Sequence, residues 1–289
     1  MNQDPVFGHL FLSIGAMKAG TTWLYSVLEH HPELCFTYEK EIHYFHYKYV
    51  DRTILSEKRR LENAQRRYLT IHPDRNFIGR VRNNLHWVAN YLDSPVDDFW
   101  YRNLFTLRRR ESYDCDFSNL YALLPADVWP KIHADCEKLR VLYTMRDPVK
   151  RLWSHVKFHL EITKQTEKLE SWAPEDYEAF ARQPFIWRNS EYGACVRNLR
   201  KSLPQEAYKC LFFEDLHADQ AGKLAEIESF LGVGHHTYPA RVLNARVNES
   251  AARPMPDFFR GLFKDDFDRI ADELTALDLA PPSSWSKHD

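Results

Sequence analysis

The chain contains no CxxC or CxxH pair, no internal repeat, no low-complexity stretch and no apolar run long enough to cross a membrane. Its five cysteines, Cys35, Cys115, Cys136, Cys195 and Cys210, are odd in number and scattered. That spacing argues against a disulfide framework or a thiolate zinc site and suits a reducing compartment. The opening MNQDPVFGHLFLSIG lacks a basic stretch and a hydrophobic segment of signal-peptide length, and the first core strand begins almost at once. The expectation is a soluble cytoplasmic protein. A dominant charge is missing too: the formal net charge is −2, so no global field draws the chain to nucleic acid. Any polyanion site has to be a local patch.

What is present is apolar material for a large core, with 289 residues, 44% of them hydrophobic and 14% aromatic. Strand and helix signals alternate. Strands are expected at Leu10–Ile14, Leu34–Thr37, Arg140–Met145 and Lys209–Phe213. Helices are expected at Thr21–His30, from Pro148 to about Ile162, and at Gly222–Leu231, the last ended by Gly232. This alternation implies the α/β class, a single domain over residues 1–289 with a central, mainly parallel sheet flanked by helices. Residues 47–112 and 163–190 are charge-rich and helix-leaning, and read as helical insertions beside the sheet.

Ligands of such sheets bind beyond the carboxyl ends of the strands. The most informative segment falls there: FLSIGAMKAGTTWL, residues 11–24, an apolar strand, a glycine-bounded loop and a helix start. Gly15, Gly20 and Thr22 match the phosphate-loop pattern G-x-x-x-x-G-K-[ST], but its lysine is missing. Thr21 stands in that place, and Lys18 lies inside the loop instead. The glycines permit close backbone approach, and the helix N-terminus near Thr21 favours an anion. An ordinary strand–turn–helix with a surface lysine is the alternative.

Two further segments carry chemistry. In RDPVKRLWS, residues 146–154, Arg146 ends a buried strand and Pro148 suits a first helical turn. The Arg146 fork and the Ser154 hydroxyl form a candidate clamp for a second phosphate, against a structural ion pair of Arg146 with Asp147 or another carboxylate. In KEIHYF, residues 40–45, an extended backbone points Glu41 and His43 to one side. A carboxylate beside an imidazole is a candidate general-base pair; a solvated loop is the alternative.

Together these motifs resemble the sulfotransferases that use 3′-phosphoadenosine 5′-phosphosulfate (PAPS), in particular the carbohydrate branch related to heparan sulfate sulfotransferases. The resemblance continues in order through FFEDL at 212–216, FLGV at 230–233 and RVNESAARP at 246–254. It implies that Lys18, Ala19, Gly20, Thr21, Thr22 and Trp23 surround the 5′-phosphosulfate, in a phosphate-loop-like cradle, and that Arg146 and Ser154 meet the 3′-phosphate. Arg253 resembles an arginine of a loop that closes over the nucleotide. The base falls at Glu41, with His43 orienting it or acting in its place. Lys18 is placed to neutralise charge on the oxygen between sulfur and phosphorus. The implied reaction moves a sulfuryl group to a hydroxyl, less readily an amine, of a carbohydrate or other small acceptor. PAPS is then the co-substrate and no metal is required, since lysine, helix N-terminus and arginine already supply positive charge.

One departure matters. Where heparan-type enzymes carry an acid–lysine–serine–proline run and then a tyrosine, this chain has Asp116-Phe117-Ser118-Asn119 and Tyr121. Losing the lysine at Phe117 removes an acceptor contact and puts heparan-like acceptors in doubt. Arg59-Arg60 with Arg66-Arg67, and Arg108-Arg109-Arg110, are candidates to steer an anionic acceptor or are simply solvated faces. His155 and His159 have the spacing of a metal pair but no third ligand nearby, so a structural role is favoured. The segment Phe258–Phe267 has the spacing of core packing. Two other functions compete. One is a phosphate-loop kinase or nucleotidase with LFFED, residues 211–215, supplying a magnesium acid; the displaced lysine argues against it. The other is a non-enzymatic module that binds nucleotide or polyanion, for which Glu41 has no use.

Overall fold

Strand β1, Phe7–Ser13, organises the molecule, because its last four residues are all buried and sheet neighbours cover both of its edges. The structure is a computed structural model and describes residues 4–72, 77–105, 113–245 and 253–285. The other strands are β2 (Leu34–Phe36), β3 (Tyr113–Asp116), β4 (Cys136–Met145) and β5 (Tyr208–Phe212). All pairings are parallel and the order is β2-β3-β1-β4-β5. Leu12 lies opposite Asp116 on one side and Val141 on the other. A parallel sheet covered on both faces calls for near-continuous apolar strands, which β1 and β4 have.

Helix α1 (Thr21–Leu28) carries the chain from β1 toward β2. Helices α2 (Tyr44–Tyr49), α3 (Glu57–Arg67), α4 (Ile78–Leu92) and α5 (Asp98–Asn103) occupy the connection between β2 and β3. Helix α6 (Trp129–Ala134) precedes β4, and α7 (Pro148–Ile162) follows it. Side chains alternate across the sheet, so Leu10 and Leu12 enter the larger core cluster while Phe11 enters the smaller. The smaller cluster packs α1 and the helix Gln220–Leu231 on one face. The larger one holds α7 and, from the aromatic segment, Phe259, Phe263 and Phe267. The chain leaving β1 runs to one edge of the sheet and the chain leaving β4 runs to the other. Between these two strands the order reverses and a crevice opens at their carboxyl ends.

The structure adds elements to the expected set. β3 pairs between β2 and β1 although YDCD carries two charges in four residues. Phe213 ends no strand: it starts the helix Phe213–Ala218 immediately after β5. Residues 41–43 are irregular rather than extended, and His43 adopts a left-handed conformation, φ 60°, to begin α2.

Candidate functional site

The loop after β1 is stitched onto β4. The Ile14 and Ala16 amides donate to Leu142 and Thr144, and Thr144 donates back to the Gly15 carbonyl at 2.8 Å. The loop then turns through positive φ at Lys18 (69°) and Gly20 (79°). Gly20 is required on two counts. Its φ is left-handed, and a Cβ there comes 2.5 Å from the Phe213 ring. Ala19 beside it is fully buried. α1 starts at Thr21 with no side chain capping it, so its first amides face the loop.

Lys18 reaches back across the crevice to α7, with Nζ 4.3 Å from the centre of the Phe158 ring. Burial lowers its pKa; nearby Glu161 opposes that and Arg146 reinforces it. Arg146, just past the end of β4, donates from Nη1 to the Lys18 carbonyl at 3.1 Å, and its guanidinium lies 4.7 Å over the Phe213 ring. Asp147 is not its partner. That carboxylate caps α7 by accepting from the Val149 and Lys150 amides, at 2.9 and 3.4 Å. Among the described residues the buried Arg146 Nε has no hydrogen-bond partner, nor does Nε2 of His217, whose ring sits 4.7 Å from Trp23. Trp23 itself is buried and donates from its indole to the Leu243 carbonyl at 3.1 Å. Ser154 lies half-buried on α7, and among the described residues no hydrogen bond joins it to Arg146.

The third segment meets the loop through Lys40, a residue the sequence reading assigned no role. Its Nζ donates to Glu41 Oε1 at 2.9 Å and to Thr21 Oγ1 at 3.3 Å. Asn119 donates to the same Glu41 oxygen at 3.0 Å, and His43 Nε2 lies 3.5 Å from Oε2. Burial works to raise the Glu41 pKa, but the Lys40 charge and the His43 hydrogen bond outweigh it and hold the carboxyl at about 2. Glu41 and His43 do share a side, yet the left-handed turn at His43 achieves this, not an extended backbone. The His43 amide donates to Ser118 Oγ at 2.8 Å. Lys40 was readable as a neighbouring counter-charge; nothing in the local pattern announces Asn119, which arrives from the far side of β3.

Other candidates separate from this centre. Arg253 sends Nη1 to the Thr166 carbonyl at 3.2 Å and to Glu170 at 3.1 Å, while its own carbonyl accepts from Trp153 and Lys157 on α7. Residues 246–252 of the same motif lie outside the described residues, as do Arg108, Arg109 and Arg110. Arg60 is no acceptor ligand: it is 2% exposed and donates to the Leu55, Tyr91 and Asp93 carbonyls. Arg67 is bound to buried Glu39. Phe117 packs edge-on against Phe11 and Tyr25 inside the smaller core, so the position at which related enzymes carry lysine is a core position here. His155 interacts with Arg151 at 3.1 Å, and burial, with Arg151 and Lys18 nearby, holds its pKa at about 2. Among the described residues no three His, Cys, Asp or Glu side chains are arranged to hold a metal ion.

Comparison with known proteins agrees with this architecture. A family model described as the sulfotransferase family matches residues 11–237. A crystal structure of a sulfotransferase from Alicyclobacillus acidocaldarius is 22% identical with a TM-score of 0.63, covering 96% of this chain and 98% of that one. The sulfotransferase domain of the olefin synthase of Synechococcus PCC 7002 is 16% identical with a TM-score of 0.51, covering 94% and 98%. The sulfotransferase domain from the curacin biosynthetic pathway is 15% identical with a TM-score of 0.53, again over 94% and 98%. At these identities the likeness to solved structures is one of fold. No curated protein sequence matches the chain significantly.

Proposed function

The chain belongs to the sulfotransferase family, and we propose that it transfers a sulfuryl group from PAPS to a hydroxyl, less readily an amine, of a carbohydrate or other small acceptor. The observation that carries this reading is the Lys40 bridge, 2.9 Å to Glu41 and 3.3 Å to Thr21, which sets a carboxylate against the end of the anion loop, where α1 begins. A module that only binds anions gains nothing from a negative charge there. The residues also fit a two-ended nucleotide. Gly20, kept bare by Phe213, admits a phosphate to the α1 amides, and the partnerless Arg146 Nε lies one strand away.

PAPS brings the sulfuryl group on its 5′-phosphate and leaves as adenosine 3′,5′-bisphosphate. Glu41 takes the acceptor proton as the acceptor oxygen bonds to sulfur. The bond from sulfur to the bridging oxygen breaks, and Lys18 meets the charge left on that oxygen, an electrostatic contribution available only as charge develops. Arg146, with Ser154, holds the 3′-phosphate. His43 steadies Glu41 and the acceptor, and Arg253 belongs to the segment that closes over the nucleotide. The competing kinase reading keeps its weak point, because Thr21 occupies the lysine position and its hydroxyl is bound to Lys40. With positive charge supplied by side chains, no metal is called for, and heparan-like acceptors lose the contact that a lysine at this position would offer, since Phe117 is buried in the core.

Isothermal calorimetry tests the nucleotide assignment. A charged hydrogen bond contributes about 1.5–3 kcal/mol, so adenosine 3′,5′-bisphosphate should bind roughly ten- to a hundredfold more tightly than AMP, and Arg146→Ala should remove the difference. Transfer of ³⁵S from labelled PAPS should survive excess EDTA. Equal affinity for the two nucleotides overturns the assignment, and EDTA-sensitive activity restored by magnesium moves it to a kinase.

A further inference from the structure

Asp116, the last residue of β3, is 1% exposed, yet it faces no cation within salt-bridge reach among the described residues. Three hydroxyl groups satisfy it instead. Ser118 donates to Oδ1 at 2.6 Å, and Tyr121 and Tyr101 donate to Oδ2 at 2.6 and 3.0 Å. A hydroxyl has a single proton, so each of these is committed to the carboxylate and presents only lone pairs elsewhere. Two of them use those lone pairs on α2. Ser118 Oγ accepts the His43 amide at 2.8 Å, and Tyr121 Oη accepts the Phe45 amide at 3.3 Å. The first amides of α2 therefore lack a local cap and are held from another part of the chain. Asn119, between the two hydroxyl residues, reaches Glu41 directly at 3.0 Å.

We propose that Asp116, Ser118 and Tyr121 are positioning residues for the Glu41–His43 pair, the buried carboxylate fixing the direction of two hydroxyls that in turn fix the left-handed start of α2. This rests on the reading of Glu41 as the base. The polarity of the chain of bonds is the argument: were Asp116 replaced by an amide, a hydroxyl facing the new N–H would have to accept from it and turn its own proton away, out of the arrangement that lets it accept an α2 amide. Burial raises the Asp116 pKa, and the Ser118 and Tyr121 hydrogen bonds, the nearby His43 and the Tyr101 hydrogen bond work against that rise. Phe117, between Asp116 and Ser118, turns to the opposite face of the sheet and packs in the smaller core.

The test pairs kinetics with a titration. Ser118→Ala and Tyr121→Phe, the second nearly isosteric, should each lower kcat roughly tenfold, since sub-ångström misplacement of a reacting group is costly. Acceptor KM and the Kd for adenosine 3′,5′-bisphosphate should stay within about twofold. In a Glu41→Gln background Ser118→Ala should cost nothing further, because it acts through the missing carboxylate. Carbon-13 NMR of Glu41 should show its titration moving upward in both variants as His43 drifts from it. Wild-type kcat in both variants, or an equal loss with and without Glu41, overturns the proposal, as does an unmoved Glu41 titration. Absence of sulfuryl transfer by the wild-type protein overturns the proposed function instead, and the NMR arm still decides the positioning.

Discussion

Glu41 is held as an anion by its neighbours, and that sets how the proposed reaction should answer to pH. With its carboxyl at about 2, the group is ionised throughout the neutral and mildly acidic range. Removing a general base costs about 10²–10⁴ in rate, so Glu41→Gln should be nearly inactive while binding adenosine 3′,5′-bisphosphate normally. His43→Ala should be impaired less. The wild-type kcat should show no acid limb above about pH 4, because a group with a depressed pKa loses its proton below that range. An inflection at about pH 6–7, the ordinary region of an imidazole, together with an active Glu41→Gln, transfers the base role to His43. The low pKa also makes Glu41 a weak base in the resting protein, so on the proposed reading its proton transfer belongs late in the reaction, when the acceptor oxygen has become acidic by bonding to sulfur.

At the scale of elements, the tight point is the approach of the helix Phe213–Ala218 to the loop after β1. Gly20→Ala meets the Phe213 ring at 2.5 Å and carries a left-handed φ, which alone costs about 1–2 kcal/mol for a residue with a Cβ. The variant should melt at lower temperature and lose more than about tenfold in nucleotide affinity, which calorimetry measures. Adding Phe213→Ala should recover part of that affinity; wild-type binding by Gly20→Ala alone shows that the ring yields freely. These elements were legible to different degrees. β1, α1, β4 and α7 announce themselves, since continuous apolar runs and Pro148 at a helix start are local signals. β3 does not: Tyr-Asp-Cys-Asp becomes a strand only because β1 and β2 flank it, a tertiary effect that no four-residue window contains. The same limit hid Asn119. The loop, Arg146 and the Glu41 segment could be picked out by residue type, but two of the contacts that join the site, Asn119 to Glu41 and Arg146 to Lys18, span more than seventy positions. Arg60 fails in the opposite direction, since a charge run suggested solvent or ligand and the fold buried it against three carbonyls.

For the whole molecule, the buried histidine on α7 links stability to pH. His155 titrates at about 2 in the folded chain, chiefly because it is desolvated, against an ordinary value of about 6.5 unfolded. The unfolded state therefore binds the extra proton between those two values, so stability is complete above about pH 6.5 and falls as pH drops below it. At about 1.4 kcal/mol per pH unit, the loss from this residue between pH 6.5 and 5 is about 2 kcal/mol. His155→Gln, which keeps an acceptor for Arg151, should unfold in urea with a correspondingly shallower pH dependence, the other histidines being common to both proteins. Equal slopes in the two proteins rule His155 out as the source.

The strand order itself has a consequence in time. β1 pairs with β3 and β4 and with nothing nearer in the chain, Leu10 finding its partners at Asp114 and Leu139. At roughly 5–20 residues per second, the ribosome takes on the order of 5–20 s to deliver the hundred residues that separate β1 from its first partner. For that interval the central strand of the sheet is made but unpaired. The centre of the sheet, and with it the loop after β1, thus stays open until β3 and β4 have both been made, which ties the assembly of the candidate site to the arrival of β4.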